Sequence, residues 1–251
     1  MTIKLSIDGR EVSVPEGATL REAALALGIQ TPTLCWHPHL NCGSNCRACV
    51  VELEGSRTLV PSCSRPAAPG MVVRTASDRV RHARKMVFEL LMTEVDCTAA
   101  PELLAYARYY GADPARYPAV VAAAREREPV LDNPFFARDY AKCIACQRCV
   151  RACGEDVQQT FAIQMTGRGH QISVGAGGIG DDLTASPCVF CGNCVGACPT
   201  GALMPLPEFE ARQAGLLETP EVFWSPAAGF TGPGAELLSH PDARTKVMEG
   251  V

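Results

Sequence analysis

Apolar and polar residues alternate from the start of the chain: Ile3, Leu5 and Ile7, then Val12 and Val14, with Asp8-Gly9 between them. Period-two alternation on both sides of an Asp-Gly pair predicts a β-hairpin over residues 2–15. The period then lengthens. Thr19 stands before Leu20, Ala23, Ala24 and Leu27, and Gly28 follows, so a capped helix is expected over residues 20–27. Apolar runs at Cys49–Leu53 and Thr58–Pro61 add further strand, giving a small mixed α+β domain over residues 1–75.

The next pattern is helical again. Val80, Ala83, Val87, Leu90 and Leu91 predict an amphipathic helix over 78–92, with Arg79, Arg81, Arg84 and Lys85 on a solvated opposite face. Pro101 and Gly111 frame a short helix and Pro118 opens another, completing a helical linker over 76–133. Tyr106, Tyr109, Tyr110 and Tyr117 read as packing residues there. Beyond residue 198, TGALMPLPEFEARQAG predicts a turn and a short helix. Residues 217–251 are rich in Pro and Gly, with Phe223, Trp224 and Phe230 isolated among them. Such a segment builds no core alone, so residues 206–251 are expected to form an extended arm laid along a partner.

Cysteine spacing changes the picture most. Between residues 134 and 205 one pattern occurs twice: Cys143-x2-Cys146-x2-Cys149-x3-Cys153 and Cys188-x2-Cys191-x2-Cys194-x3-Cys198, the second followed by Pro199. Three cysteines at this spacing wrap a loop around one face of an iron–sulfur cubane, and the fourth cysteine of each run ligates the other cluster. The expected sets are Cys143, Cys146, Cys149 and Cys198 for one [4Fe–4S] centre, and Cys188, Cys191, Cys194 and Cys153 for a second. Structural zinc is the bland alternative, but it would leave one cysteine of each run idle. A redox sensor would need an output domain, and none is visible. The first domain holds five more cysteines, Cys35, Cys42, Cys46, Cys49 and Cys63. Four of them suffice for a [2Fe–2S] centre. Cys42 and Cys46 miss the four-residue spacing of the plant-type pattern, whereas starting from Cys35 gives C-x10-C-x2-C-x13-C.

Composition narrows the setting. With 251 residues, 14 cysteines and a formal charge of -4, nothing points to nucleic acid as a partner. The opening MTIKLSIDGREV has no apolar leader segment, and no run of about 18 apolar residues predicts a membrane span. Clustered cysteines in such a chain imply metal and a cytoplasmic location. Gly175, Gly177 and Gly180 satisfy G-x-G-x-x-G, but the distance to Cys188 is too short for a βαβ unit, so a turn is expected, not a dinucleotide site.

The segment PTLCWHPHLNCGSNCRACVVELEG resembles the [2Fe–2S] domain of the large iron–sulfur subunit of respiratory complex I. It is similar also to the diaphorase subunit of NAD-reducing hydrogenases and to the N-terminal part of NAD-linked formate dehydrogenase α subunits. The resemblance implies a ferredoxin-like β-grasp fold with Cys35, Cys46, Cys49 and Cys63 as ligands, Cys42 as a spare thiol, and His37 and His39 on the loop surface. Most of these relatives follow with H-x3-C-x2-C-x5-C, which binds a histidine-ligated cubane. Here Thr93, Ala100 and Tyr106 replace three of those four ligands and only Cys97 remains, so that centre is expected to be absent. NPFFARDYAKC, SPCVFCGNCVGACPTGALM and EFEARQAG look most like formate dehydrogenase α subunits. The resemblance implies one [2Fe–2S] and two [4Fe–4S] clusters and no catalytic residues in this chain. The implied partners are a molybdopterin (Mo/W) formate dehydrogenase subunit and a flavin/NAD diaphorase subunit. A [NiFe] hydrogenase in place of the molybdopterin protein is the alternative.

Overall fold

A computed structural model describes residues 1–117, 128–168, 172–176, 182–233, 235 and 238. The expected hairpin is β1 (Thr2–Ile7) against β2 (Arg10–Pro15), with Ile3 opposite Val14 and Leu5 opposite Val12. Asp8 and Gly9 both take positive φ, 50° and 77°, which a two-residue turn between right-twisted strands requires. Helix α1 (Leu20–Ala26) starts at a capping box, in which the Thr19 side chain accepts from Glu22 N–H and the Glu22 carboxylate accepts from Thr19 N–H.

Strands β3 (Val50–Leu53) and β4 (Val60–Pro61) follow. The sheet is completed by β5 (Val72–Arg74), in the order β2-β1-β5-β3-β4, with β5 parallel to β1 and antiparallel to β3. Leu5, Ile7, Val12, Val14, Leu20, Ala23, Val51 and Val73 fill the space between α1 and the sheet. This core contains no cysteine.

Helix α2 (Asp78–Glu94) is capped by Ser77 and is rotated from the expected phase. Its buried positions are Val80, Arg84, Phe88 and Glu89, while Leu90 is exposed. Arg84 is not on a solvated face: its guanidinium donates to the Val50 carbonyl (2.9 Å) and to the Tyr110 hydroxyl (2.7 Å). Helix α3 (Pro101–Tyr110) ends at Gly111, at φ 62°, as the Pro–Gly frame implied. The helix expected after Pro118 falls largely outside the described residues.

Strand β6 (Phe136–Arg138) pairs with β9 (Leu203–Pro205) and closes the two ends of the double-cysteine region against each other. Between them lie α4 (Arg148–Cys153), a hairpin of β7 (Ile163–Thr166) and β8 (Ser173–Ala176), and α5 (Asn193–Ala197). Gly175 sits within β8, whereas Gly177 and Gly180 lie outside the described residues.

The expected arm is laid on its own chain as far as residue 233. Helix α6 (Leu206–Gln213) packs by Phe209 on Met204 and Ala137. A hairpin of β10 (Phe223–Ser225) and β11 (Gly229–Thr231) presses Trp224 against Tyr106 and Tyr109, with ring centroids 5.0 Å apart in each case. The aromatics that looked isolated therefore close a core of Phe88, Tyr106, Tyr110, Trp224 and Phe230 around α2 and α3. Tyr106 and Ala100, at two positions where relatives carry cysteine, are completely buried in it, and Cys97 is half-buried beside it.

Candidate iron–sulfur sites

The loop between α1 and β3 carries four sulfurs, and a fifth, Cys63, joins them from just after β4. Cys35, Cys49 and Cys63 are buried, and Cys42 and Cys46 are half-buried. Cys42 and Cys49 each place Sγ 3.2 Å from Sγ of Cys63, and Asn45 N–H donates to Cys35 Sγ at 3.3 Å. The contacts with Cys46 and Cys63 pull the Cys35 thiol down to about 2. The Cys63 contact holds Cys42 at about 7, while Cys46 and Cys63 are pushed up as the proton-keeping partners. Ser44 and Arg47 hold the loop open with φ near 52° and 58°. Cys42, expected as a spare thiol near the cluster, is in contact with the sulfur group. His39 is exposed and His37 half-buried on the turn after Cys35.

In the other region the two cysteine runs cross over. Cys143, Cys146, Cys149 and Cys198 line one small cavity, walled by Tyr140, Val174 and Leu203. Cys188, Cys191, Cys194 and Cys153 line a second, walled by Phe136, Ile163 and Phe190. The loops are near copies in backbone. Ala145 and Phe190 have φ of 51° and 52°, and Gln147 and Gly192 have φ of 63° and 76°, at matching places in each run. Left-handed turns there aim backbone N–H groups inward: Ala145 N donates to Cys143 Sγ and Phe190 N to Cys188 Sγ, both at 3.4 Å. Burial pushes the Cys146 and Cys194 thiols up to about 12, and raises Cys149 and Cys188. A thiolate is unfavourable in such a place without a cation to neutralise it.

Four convergent soft sulfur donors in a dry pocket, each with inward backbone N–H groups, fit iron and sulfide. Residues 1–78 match the model of the 2Fe-2S iron-sulfur cluster binding domain, and residues 142–209 match that of the 4Fe-4S dicluster domain. This is an iron–sulfur protein. The paired domains carry one [2Fe–2S] and two [4Fe–4S] centres.

The iron–sulfur chain is 34% identical over 248 residues to the NADPH-Fe(3+) oxidoreductase subunit alpha of Geobacter sulfurreducens, covering 95% of this chain and 28% of that protein. It is 37% identical over 214 residues to the NADP-reducing hydrogenase subunit HndD of Solidesulfovibrio fructosivorans, covering 80% and 36%. The chain thus spans only about a third of the length of these curated relatives. Among solved structures, it matches a chain of an NAD+-reducing [NiFe]-hydrogenase with a TM-score of 0.70 and 29% identity, covering 92% of this chain and 90% of that one. Over these spans the chain is similar to subunits of NAD(P)-linked oxidoreductases.

The [2Fe–2S] loop and the 143–149 loop are stitched together by hydrogen bonds. Arg151 Nη2 donates to the Cys35 carbonyl (2.8 Å) and to the Cys146 carbonyl (3.3 Å). Asn45, whose N–H reaches Cys35 Sγ, donates from Nδ2 to the same Cys146 carbonyl at 3.4 Å. Asn41 N and Nδ2 grip the Asp156 carboxylate at 2.7 and 2.6 Å. Sequence reading finds every cysteine but none of these bridges. Their only signal is that Arg151 and Asn45 lie close to cysteines in the chain, and adjacency alone does not reveal a partner more than a hundred residues away. Among the described residues, no helix is long and apolar enough to cross a membrane.

Proposed function

We propose that this chain relays electrons within a multi-subunit NAD(P)-linked oxidoreductase, between a catalytic subunit and a flavin/NAD subunit. The proposed ligands are Cys35, Cys46, Cys49 and Cys63 for the [2Fe–2S] centre. Cys143, Cys146, Cys149 and Cys198 would hold one [4Fe–4S] centre, and Cys188, Cys191, Cys194 and Cys153 the other. When bound, each centre takes up and gives up one electron. The protein's contribution is to bury the sulfurs, aim N–H groups at them and fix the centres relative to one another. The observation that carries this reading is the succession of three cysteine-lined sites, the first and second joined through Asn45 and Arg151. The proposed order along the chain is therefore [2Fe–2S], the Cys146 site, then the Cys191 site, whose Cys191 is exposed.

For the catalytic partner, the likeness of SPCVFCGNCVGACPTGALM supports a molybdenum or tungsten formate dehydrogenase working in the cytoplasm. A second reading, a [NiFe] hydrogenase, is favoured by the solved hydrogenase chain that this one matches over nearly its whole length. Native purification with metal analysis separates them. A co-eluting protein with molybdenum or tungsten supports the first and one with nickel the second. A chain that holds zinc, without about ten irons and without labile sulfide, contradicts the relay itself.

A further inference from the structure

The two cubane loops are near copies in backbone but not in charge. Counting along each run, Arg148 stands where the second run has Asn193, and Arg151 where it has Gly196. Arg151 spends its guanidinium on carbonyls, as described above. Arg148 does not. It is 1% exposed, and its one side-chain hydrogen bond is from Nη1 to the Leu34 carbonyl at 3.4 Å. Its Nε and Nη2 have no hydrogen-bond partner among the described residues, and it forms no ion pair with a carboxylate there.

A buried guanidinium left this way is costly unless a negative charge lies close by. Cys146 and Cys149 supply the place for one: they lie two residues before Arg148 and one after it, and both are buried with it. At the other loop the corresponding Asn193 is neutral and bonds Gln158 at 3.4 Å. On that side of the region the Asp132 carboxylate accepts from Leu183 N–H and is paired by Arg138, both at 2.7 Å.

We propose that Arg148 sets the two [4Fe–4S] centres apart in reduction potential, holding the centre of Cys143, Cys146, Cys149 and Cys198 above that of Cys188, Cys191, Cys194 and Cys153. Adding an electron makes a thiolate-ligated centre more negative. A fixed positive charge in a poorly screened interior stabilises that form and leaves the oxidised form less favoured. The electron then rests at the centre stitched to the β-grasp domain, and the outer centre fills second. The inference rests on the ligand sets proposed above, and Arg148 acts as a tuning residue that touches no substrate.

The test is a dithionite titration of the full iron-loaded chain, followed by electron paramagnetic resonance. The unaltered chain should show two cubane midpoints separated by at least tenfold in the reduction equilibrium, about 59 mV for one electron. Arg148→Gln, which keeps a donor and drops the charge, should lower one of them by tenfold or more and leave the other and the [2Fe–2S] signal in place. Arg148→Lys should restore most of the separation, which a purely structural role would not predict. Should Arg148→Gln fail to load iron, Asn193→Arg must raise the other midpoint. Coincident midpoints in the unaltered chain, an unmoved pair in loaded Arg148→Gln, or no response to Asn193→Arg each overturn the proposal. Iron and sulfide content keeps the failures apart: a chain without them sinks the relay and this inference together, whereas full iron with coincident midpoints sinks only the role of Arg148.

Discussion

The β-grasp domain and the double-cysteine region solve the same problem from opposite directions. In the first, a sulfur-lined loop hangs on a sheet-and-helix core of Leu5, Ile7, Val14, Leu20, Ala23 and Val73 that includes no cysteine. In the second, the core is the site: Cys149, Cys153 and Cys194 are buried members of the cluster that Phe136, Ile163, Val174 and Leu203 complete, and Cys143, Cys188 and Cys198 pack against it. Its strands are three or four residues long and its two helices five or six. Helices this short are not stable by themselves. One region has a hydrophobic core that excludes its sulfurs, whereas in the other the sulfurs are part of the core.

Iron removal breaks this comparison most sharply. Chelation under reducing conditions should strip amide protection from residues 134–205 while β1, β2 and α1 keep theirs, as read by hydrogen exchange. Equal loss in both regions would mean the β-grasp core does not stand alone. Single ligand changes come next. Cys194→Ser should abolish one cubane signal and lower the thermal midpoint of its region, whereas Cys49→Ser should abolish the [2Fe–2S] signal and leave both cubanes. Spectra of the purified variants decide this.

The linker's aromatic core offers a third, metal-free probe. Tyr106→Ala removes a fully buried ring in contact with Phe88, Trp224 and Phe230. It should cost about 3–5 kcal/mol in denaturant unfolding while all three centres remain. Arg84→Gln should cost less, about 1–3 kcal/mol, because it weakens the hold on the Val50 carbonyl and the Tyr110 hydroxyl. The smallest effect is expected from Cys42→Ser, which should leave the [2Fe–2S] spectrum intact. Its loss, or its survival in Cys35→Ser, would make Cys42 a ligand.

How far the sequence can be read follows the same divide. The β1–β2 hairpin, the Thr19 cap and the Pro101–Gly111 helix rest on neighbours in the chain, and local pattern reveals them. Strand β5 is three residues long and gains its meaning from β1, more than sixty residues earlier, so no period announces it. The phase of α2 departs from its pattern because a buried arginine that answers a carbonyl looks, in sequence, like any surface arginine. Trp224 and Phe230 look unsupported because their support, α3, lies more than a hundred residues upstream. The cysteine runs are legible because ligand spacing is itself a local geometric constraint. The charge difference between Arg148 and Asn193 is present in the letters and the repeated spacing aligns the two positions, but only the structure shows that Arg148 is buried with Nε and Nη2 unpartnered among the described residues.

Ser44, Arg47, Ala145, Gln147 and Phe190 all bend the left-handed way without being glycine. Each such bend costs an ordinary residue about 1–2 kcal/mol, so these loops act as springs whose strain ligation of their cysteines would offset. A Gln147→Gly chain, with one spring relaxed, should mature at lower iron supply than its parent.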